Sequence, residues 1–488
     1  MAAPDPNSKN PGRDHPQVTM LVSTRSITLR QGLTPDRLFL LIGLAFGVLF
    51  VFITPPFQVP DEYHHFYRSY HVSEGRILGI KDGNLAGDYL PRGLGWFATN
   101  VSSGMQFHPE VKQDYHNILS QVGKSLHLDN RAFFNFHGSV LYSPVPYLPQ
   151  AAAMLWGRIF SGSPLALFYM GRLANVAVWA LLTALAIRVT PIYKWVFFLL
   201  ALAPMSIFQA ASLSADALTH ALSFLLVAII LYLAFGPLQS LSRKELVALL
   251  IVSVLLALCK PGYILLLGMF FLIPVRKFGS FKRYLGWAAI LFSVSLGAML
   301  GWLLLARPLY VSTLSDPAIN PGEQLLYILE NPIAYIKVIL RTFRNYRLSI
   351  TTTYIGVLGW LDTPLPGFVY NAFIILTIMA ALLEGRREVC LTLPNKLVIA
   401  LLFGAGVVYM STLPYLTWTP VGSRTIEGMQ GRYFIPFGPP ALLLLYNRFL
   451  GQKIAAANFL IKPIATIGSL VILIVTVYAL LLRYYPLS

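Results

Sequence analysis

Apolar stretches about as long as a membrane-crossing helix recur through most of the chain, and basic residues gather in the loops between them. A helix needs about 20 mostly apolar residues to cross the hydrocarbon core of a bilayer. Because Lys and Arg favour cytoplasmic loops, the pattern also sets an orientation, with the N-terminus inside. We predict about eleven membrane helices, over residues 37–53, 165–189, 195–213, 217–235, 246–258, 263–275, 284–306, 368–384, 396–413, 434–446 and 464–482.

The segments between these helices complete the predicted topology. Residues 1–36 are polar, and we predict that they form a disordered cytoplasmic tail. We predict that residues 37–488 form a single transmembrane domain. Two long extracytoplasmic segments follow from the orientation, residues 54–140 and 307–366. Residues 142–159 are apolar but contain three prolines, and counting them as a span would put every later basic cluster on the wrong side. We therefore predict a re-entrant or interfacial helix there.

Composition supports an all-α polytopic membrane protein and little else. The 488 residues are 56% hydrophobic and 12% charged, which is too apolar for a soluble protein of this size. The net charge of +17 is explained by the cytoplasmic loops. No basic stretch is interleaved with aromatics, so we predict no nucleic-acid partner. The two cysteines, Cys259 and Cys390, predict neither a disulfide nor a metal site.

An acidic pair, Asp61-Glu62, directly follows the first predicted helix, behind Pro60. Carboxylates at a bilayer edge are costly and are usually functional. One of the two carboxylates is expected to reach a substrate while the other binds a backbone donor or a metal. The alternative is that Asp61 simply caps the helix that follows it.

The predicted topology brings distant polar residues to the same outer face as Asp61. Lys260 and Arg432 together indicate an anionic group, most simply a phosphate, because a guanidinium can grip phosphate oxygens with two hydrogen bonds. Tyr433 adjoins Arg432, and Arg172 needs a carboxylate or lipid phosphate as its partner. The alternative for Lys260 is a lysine that extends to the interface.

Three further outer-face residues are candidate substrate contacts. Trp360 and Asp362 place an aromatic ring beside a carboxylate, an arrangement that holds sugars, although Trp360 is equally consistent with an interface anchor. His65 follows the acidic pair closely.

The metal question stays open: Asp61 and Asp216 are candidate ligands for a divalent cation such as Mg²⁺ or Mn²⁺, but no full ligand set is visible.

A set of short motifs resembles a family of bacterial multi-spanning proteins of unknown function that is grouped with the GT-C glycosyltransferases. The resemblance covers about residues 38–480. Its motifs are Pro60-Asp61-Glu62 with His65, the proline-rich residues 142–147, Ser214-Ala215-Asp216-Ala217-Leu218, Lys260-Pro261-Gly262-Tyr263, Leu358-Gly359-Trp360-Leu361-Asp362, and Gly431-Arg432-Tyr433-Phe434-Ile435-Pro436.

The resemblance implies a GT-C-like fold and a transfer reaction. In that class an acidic residue after the first helix is the catalytic base, and Asp61-Glu62 is similar to the pair in protein O-mannosyltransferases. A second acid recurs before a later helix, and Asp216 is the candidate here. The expected donor is a polyprenyl-phosphate-linked sugar, and the expected outcome is inversion at the anomeric carbon.

The expected location is the plasma (inner) membrane, with the active site on the extracytoplasmic side. We do not expect the large soluble C-terminal domain of some members here, so the resemblance does not name the acceptor, which is a glycan, a lipid or a protein. The alternatives are a polysaccharide polymerase or ligase, a lipid or solute transporter, and a non-catalytic scaffold.

Overall fold

The structure, a computed structural model, describes residues 33–102, 104–160, 162–311, 316–450 and 457–486. Most of the predicted disordered tail lies outside these residues. The α-helices are α1 (Pro35–Ile53), α2 (Glu62–Ser73), α3 (Arg92–Ser102), α4 (Tyr115–Leu119), α5 (His137–Val140), α6 (Leu148–Phe160), α7 (Pro164–Val189), α8 (Lys194–Ala201), α9 (Pro204–Ala210), α10 (Asp216–Phe235), α11 (Arg243–Cys259), α12 (Phe281–Ala306), α13 (Pro321–Glu330), α14 (Pro332–Asn345), α15 (Arg347–Ile355), α16 (Gly367–Leu383), α17 (Leu393–Thr417), α18 (Gly438–Leu443) and α19 (Ala457–Tyr484).

Shorter elements complete the list. The 3-10 helices are Val145–Tyr147, Pro261–Leu272, Val275–Phe278, Arg307–Leu309 and Gly431–Phe437. The strands are β1 (Ile80–Asp82), β2 (Leu85–Pro91), β3 (Arg131–Asn135), β4 (Val357–Leu358) and β5 (Thr363–Pro364).

Six helices of the described residues are long and apolar enough to cross a membrane: α1, α7, α10, α12, α17 and α19. They confirm a polytopic, mostly helical membrane protein. Helix α10 lies at the centre of the packing, with 78% of its apolar window buried inside the protein. It packs against α7, α11 and the 3-10 helix Pro261–Leu272. The first residue of α10 is Asp216, so the central helix begins at a candidate site residue.

The other five predicted spans correspond to shorter elements, so the count of eleven stays a prediction. Residues 195–213 fold as two short helices, α8 and α9, because Pro204 has no amide hydrogen to continue the first one. The 12 residues of Pro261–Leu272 form a 3-10 helix, which at about 2 Å per residue is only about 24 Å long. Helices α11 and α16 have 17 residues each.

The proline-rich segment contains only a short helix, and its re-entrant or interfacial placement stays a prediction. A 3-10 turn, Val145–Tyr147, leads into α6, which has 13 residues. At 1.5 Å per residue α6 is about 20 Å long, shorter than the roughly 30 Å hydrocarbon core. It packs against α2 and α7.

Residues 54–140, here called the first lobe, are not all helical. The lobe contains an antiparallel three-stranded sheet in the order β1-β2-β3, with Gly87 opposite Asn135. The prediction of an all-α fold was therefore wrong for this lobe. Phe57, Phe66 and Phe97 pack there with Phe168 of α7, with ring centroids 4.9–6.0 Å apart. This aromatic core fixes the lobe on the membrane helices.

Candidate functional site

The adjacent carboxylates Asp61 and Glu62 have opposite environments. Asp61 adopts the left-handed backbone conformation, with φ 62°, immediately before α2. This conformation is uncommon outside glycine but is tolerated by Asp. The Asp61 side chain is exposed and makes no capping hydrogen bond. Asp61 therefore occupies the N-cap position of α2 but does not cap the helix through its side chain.

Glu62 is fully buried, and its two oxygens accept four hydrogen bonds. The backbone N–H groups of Phe57 and Leu213 each donate at 2.9 Å. The Arg172 guanidinium donates the other two, at 2.8 and 2.6 Å. Each oxygen therefore has two donors, and no atom of this carboxylate faces solvent.

Arg172 is equally enclosed and has the carboxylate partner that the sequence analysis required. Besides Glu62, its guanidinium donates to the carbonyl oxygens of Val51, Thr54 and Pro55 at 2.9, 2.7 and 3.2 Å. The pair therefore ties α7 to the end of α1 and to the start of α2. Breaking such a pair leaves an unpaired buried charge, which is strongly destabilising.

Asp216 forms a second ion pair, with Lys260, and this one is open. Asp216 begins α10 and Lys260 directly follows α11, so two helix ends meet there. The side chains keep 17% and 20% of their surface exposed. One helical turn after Asp216, the buried His220 also interacts electrostatically with both charges, and its Nδ1 has no hydrogen-bond partner among the described residues.

Arg432 joins this group from the opposite end of the sequence. It lies in the 3-10 helix Gly431–Phe437, which packs tightly on α15. A Cβ at Gly431 would lie 1.8 Å from the carbonyl oxygen of Ile350, so only glycine fits there. The charges of Asp61 and Asp216 both act on the Arg432 guanidinium. Its Nε is buried and has no hydrogen-bond partner within the described part of the chain.

His65 lies near both Asp61 and Asp216. Its Nδ1 is 2.8 Å from the hydroxyl of Tyr147, and the charges of Asp61, Asp216 and Lys260 all act on it. Burial lowers the pKa of His65 to about 4, although the two carboxylates oppose this shift. The imidazole is therefore neutral near pH 7 and is a hydrogen-bonding group rather than a cation. We call Asp61, His65, Asp216, Lys260 and Arg432 the ionic cluster.

A cavity of about 280 Å³ opens beside the ionic cluster. Its lining includes Lys260, whose ammonium nitrogen is 5.6 Å from the centre of the Tyr142 ring. Further aromatic side chains surround it: Tyr263, Tyr409, Trp418 and Tyr433. Tyr263 also donates from its hydroxyl to the Tyr433 carbonyl oxygen at 3.0 Å. We call this the aromatic cavity.

A second, apolar groove of about 350 Å³ is also lined by the Gly431–Phe437 helix. Phe434 and Phe437 of that helix line it, together with Tyr354 of α15, Phe373 of α16 and Phe403 of α17. The short segment that carries Arg432 and Tyr433 therefore adjoins both the aromatic cavity and the apolar groove. An amphipathic ligand with a charged head and a hydrocarbon tail suits such a combination.

Trp360 and Asp362 have partners outside the ionic cluster. The indole Nε1 of Trp360 donates to the Phe57 carbonyl oxygen at 3.0 Å. Asp362 forms an ion pair with Arg483 at 2.7 Å and accepts a hydrogen bond from the hydroxyl of Thr363. These contacts brace the turn before Glu62 and the end of α19, and neither residue lines the aromatic cavity.

The divalent cation considered for Asp61 and Asp216 stays a prediction. The described residues contain no group of three or more His, Cys, Asp or Glu side chains placed to hold a metal ion. Asp216 is paired with Lys260.

Several residues at this site were not predicted from the sequence. His220 had a signal, because it is four positions after Asp216 and so lies on the same helix face. Tyr263 belongs to the motif Lys260-Pro261-Gly262-Tyr263, in which only Lys260 was predicted to bind a ligand. Tyr409 and Trp418, by contrast, reach the aromatic cavity from the end of α17, and nothing in their local sequence marks them.

The fold and these buried charges define a multi-pass α-helical membrane protein with a polar site at the ends of its central helices. Comparison with known families gives the particular assignment: the chain belongs to the family described as predicted membrane protein (DUF2142), which matches residues 44–441. No curated protein and no solved structure matches the chain.

Proposed function

We propose that this protein is a membrane glycosyltransferase that moves a sugar from a polyprenyl-phosphate-linked donor to an extracytoplasmic acceptor. The observation that carries the proposal is the ionic cluster. It combines a solvent-exposed carboxylate, Asp61, with a guanidinium, Arg432, whose buried Nε has no partner among the described residues. A base and an anion-binding group are the two charges that such a transfer needs.

The geometry favours Asp61 over Glu62 as the base. Glu62 already accepts four hydrogen bonds and is fully buried. The exposed Asp61 makes no capping hydrogen bond and lies close enough to Arg432 for the two charges to interact. The proposed role of Glu62 is to position Asp61 by holding the start of α2.

The proposed reaction is a direct displacement. Asp61 takes the proton of the acceptor hydroxyl, whose oxygen forms a bond to the anomeric carbon of the donor sugar. The bond from that carbon to the phosphate oxygen breaks, and its electron pair leaves with the lipid phosphate. Arg432 and Lys260 offset the negative charge that develops there. Attack opposite to the leaving group inverts the anomeric configuration.

The two neighbouring cavities support a lipid-linked donor. The aromatic cavity beside Lys260 offers several ring faces for a sugar. One of them belongs to Tyr433, the residue next to Arg432. The groove lined by Phe434 and Phe437 is almost wholly apolar and suits an isoprenoid chain. A phosphate between them would face Arg432. The site would face the extracytoplasmic side of the plasma membrane.

The test is a transfer assay with the purified full chain in vesicles that contain radiolabelled polyprenyl-phosphate sugars and a panel of acceptors. We expect transfer by the wild type and a loss of about 10²- to 10⁴-fold in Asp61→Asn, which removes the base. Asp82→Asn is the matched control, because Asp82 is an exposed carboxylate on β1 of the same lobe. Lipid translocation without transfer would overturn the proposal in favour of a transporter.

A further inference from the structure

A second polar cavity, of about 300 Å³, lies in the first lobe, between α3, the loop that follows α4 and the start of α7. Its lining residues include Trp96, Asn100, Gln121, Lys124 and His127. None of them belongs to the ionic cluster or lines the aromatic cavity. None of the groups assigned to the chemical step of the proposed transfer lines this cavity.

The cavity presents an aromatic face that is fixed in place. Trp96 keeps 48% of its surface exposed although it is a large apolar side chain. Its indole packs edge to face against the His127 ring, with centroids 4.9 Å apart at 78°. The next residue, Phe97, also lines the cavity and is buried in the lobe core. The indole is therefore held as an open platform, on which the C–H face of a pyranose ring can pack.

Backbone contacts make this cavity preformed. Gly93 of α3 donates to the Leu126 carbonyl oxygen at 3.1 Å. A Cβ at Gly93 would lie 2.5 Å from the Ser125 carbonyl oxygen, so the loop and the helix are in direct backbone contact. His127 is held in the left-handed conformation at φ 55°. A preformed cavity costs a ligand less ordering free energy than a mobile loop would.

The polar rim of the cavity determines the ligand class. Asn100 supplies an amide group, which both donates and accepts hydrogen bonds, as sugar hydroxyls require. Gln121 supplies a second amide, whose Nε2 already donates to the Ser120 hydroxyl at 3.0 Å. Lys124 supplies one positive charge, and no carboxylate lines the cavity. A neutral sugar leaves that charge unused, whereas a sugar acid places its carboxylate opposite Lys124.

We propose that this cavity binds an anionic sugar residue, such as a hexuronic acid, in a glycan chain. Its volume is at the small end of ligand pockets, which suits one or two sugar rings. Holding the acceptor glycan for the transfer reaction would be its role, and that role, unlike the binding itself, rests on the proposed function.

The test measures binding to the purified full chain in lipid nanodiscs by calorimetry. The probes are cellobiouronic acid and its neutral counterpart cellobiose. We expect the acid to bind more tightly than cellobiose, and Trp96→Ala to weaken it roughly tenfold. Lys124→Ala should abolish the preference for the acid. The matched control is Trp156→Ala, because Trp156 is 61% exposed on α6, outside this cavity.

Two results would overturn the inference: equal binding by wild type and Trp96→Ala, or Trp96-dependent binding to anionic lipid vesicles with no binding of either sugar. Asp61→Asn separates the two proposals, since it should bind the sugar acid normally while failing to transfer. If the wild type binds the acid but transfers no sugar, the proposed function fails and the binding site stands.

Discussion

Two ion pairs at the membrane helix ends, Glu62–Arg172 and Asp216–Lys260, are similar in chemistry and different in enclosure. The first pair is fully buried, and both carboxylate oxygens and all three guanidinium nitrogens have protein partners. The second keeps about a fifth of each side chain exposed, and Lys260 faces the aromatic cavity. A closed pair can only hold the fold, whereas an open pair can exchange a partner for a ligand.

Two residues that are neighbours in sequence also differ in enclosure. Asp61 and Glu62 belong to one dipeptide, but Glu62 is buried in the protein, whereas Asp61 is exposed and its charge acts on Arg432. Asp61 has the left-handed backbone conformation, with φ 62°, and the two side chains therefore lie in different environments. An acidic pair at a membrane boundary can thus supply one structural and one chemical carboxylate.

The largest expected effect comes from opening the closed pair. Arg172→Ala leaves Glu62 charged and buried, so we expect a loss of about 3–5 kcal/mol of unfolding free energy. Thermal unfolding of the purified protein in detergent measures it. Arg188→Ala is the control, because Arg188 is exposed at the end of the same helix. An unchanged melting temperature in Arg172→Ala would show that the pair is not needed for the fold.

A smaller effect is expected at the ionic cluster, which contains the open Asp216–Lys260 pair. Arg432→Ala removes the guanidinium that is proposed to face the lipid phosphate, and a charged hydrogen bond contributes about 1.5–3 kcal/mol, or roughly 10- to 100-fold in kcat/KM. The melting temperature should change little. Arg424→Ala, an exposed arginine in the preceding loop, should leave both quantities unchanged. Equal loss of activity in the two variants would remove Arg432 from the anion site.

The smallest effect concerns acid sensitivity of the first lobe, away from both pairs. Burial opposes the charge of Asp88, but hydrogen bonds from His71, Arg76 and the Tyr89 N–H lower the pKa of Asp88 to about 2. A depressed carboxyl pKa stabilises the fold above the unfolded pKa, and this contribution disappears as pH falls through the folded pKa. We expect about 1–2 kcal/mol to be lost between about pH 4 and pH 2.

Melting temperatures measured across that pH range check this expectation. Asp88→Asn should be less stable at pH 5 and should lack the loss between pH 4 and pH 2. Asp82→Asn, in the neighbouring strand, should behave as the wild type does. An identical acid limb in Asp88→Asn would contradict the assignment.

The sequence predicted the parts of this site that depend on topology. Asp61, Asp216, Lys260 and Arg432 all lie at ends of apolar segments, so the alternation of basic loops was enough to place them on one face. The structure brings their charges into interaction. Long-range packing was not needed for that inference.

What the sequence missed depends on contacts between distant residues. The role of Glu62 is decided by Arg172 and by the Leu213 N–H, which lie more than 100 positions away. Asp362 looked like a sugar-binding acid until its partner, Arg483, came from the last helix. The broken helices around Pro204 and in Pro261–Leu272 were also hidden, because hydropathy counts apolar residues without reading the hydrogen-bond pattern.

The most direct test of the division between Asp61 and Glu62 measures transfer rate and melting temperature on the same preparations of Asp61→Asn and Glu62→Gln. The account predicts that Asp61→Asn melts as the wild type does but transfers about 10²- to 10⁴-fold more slowly, while Glu62→Gln loses stability. Full transfer activity in a folded Asp61→Asn protein would contradict it.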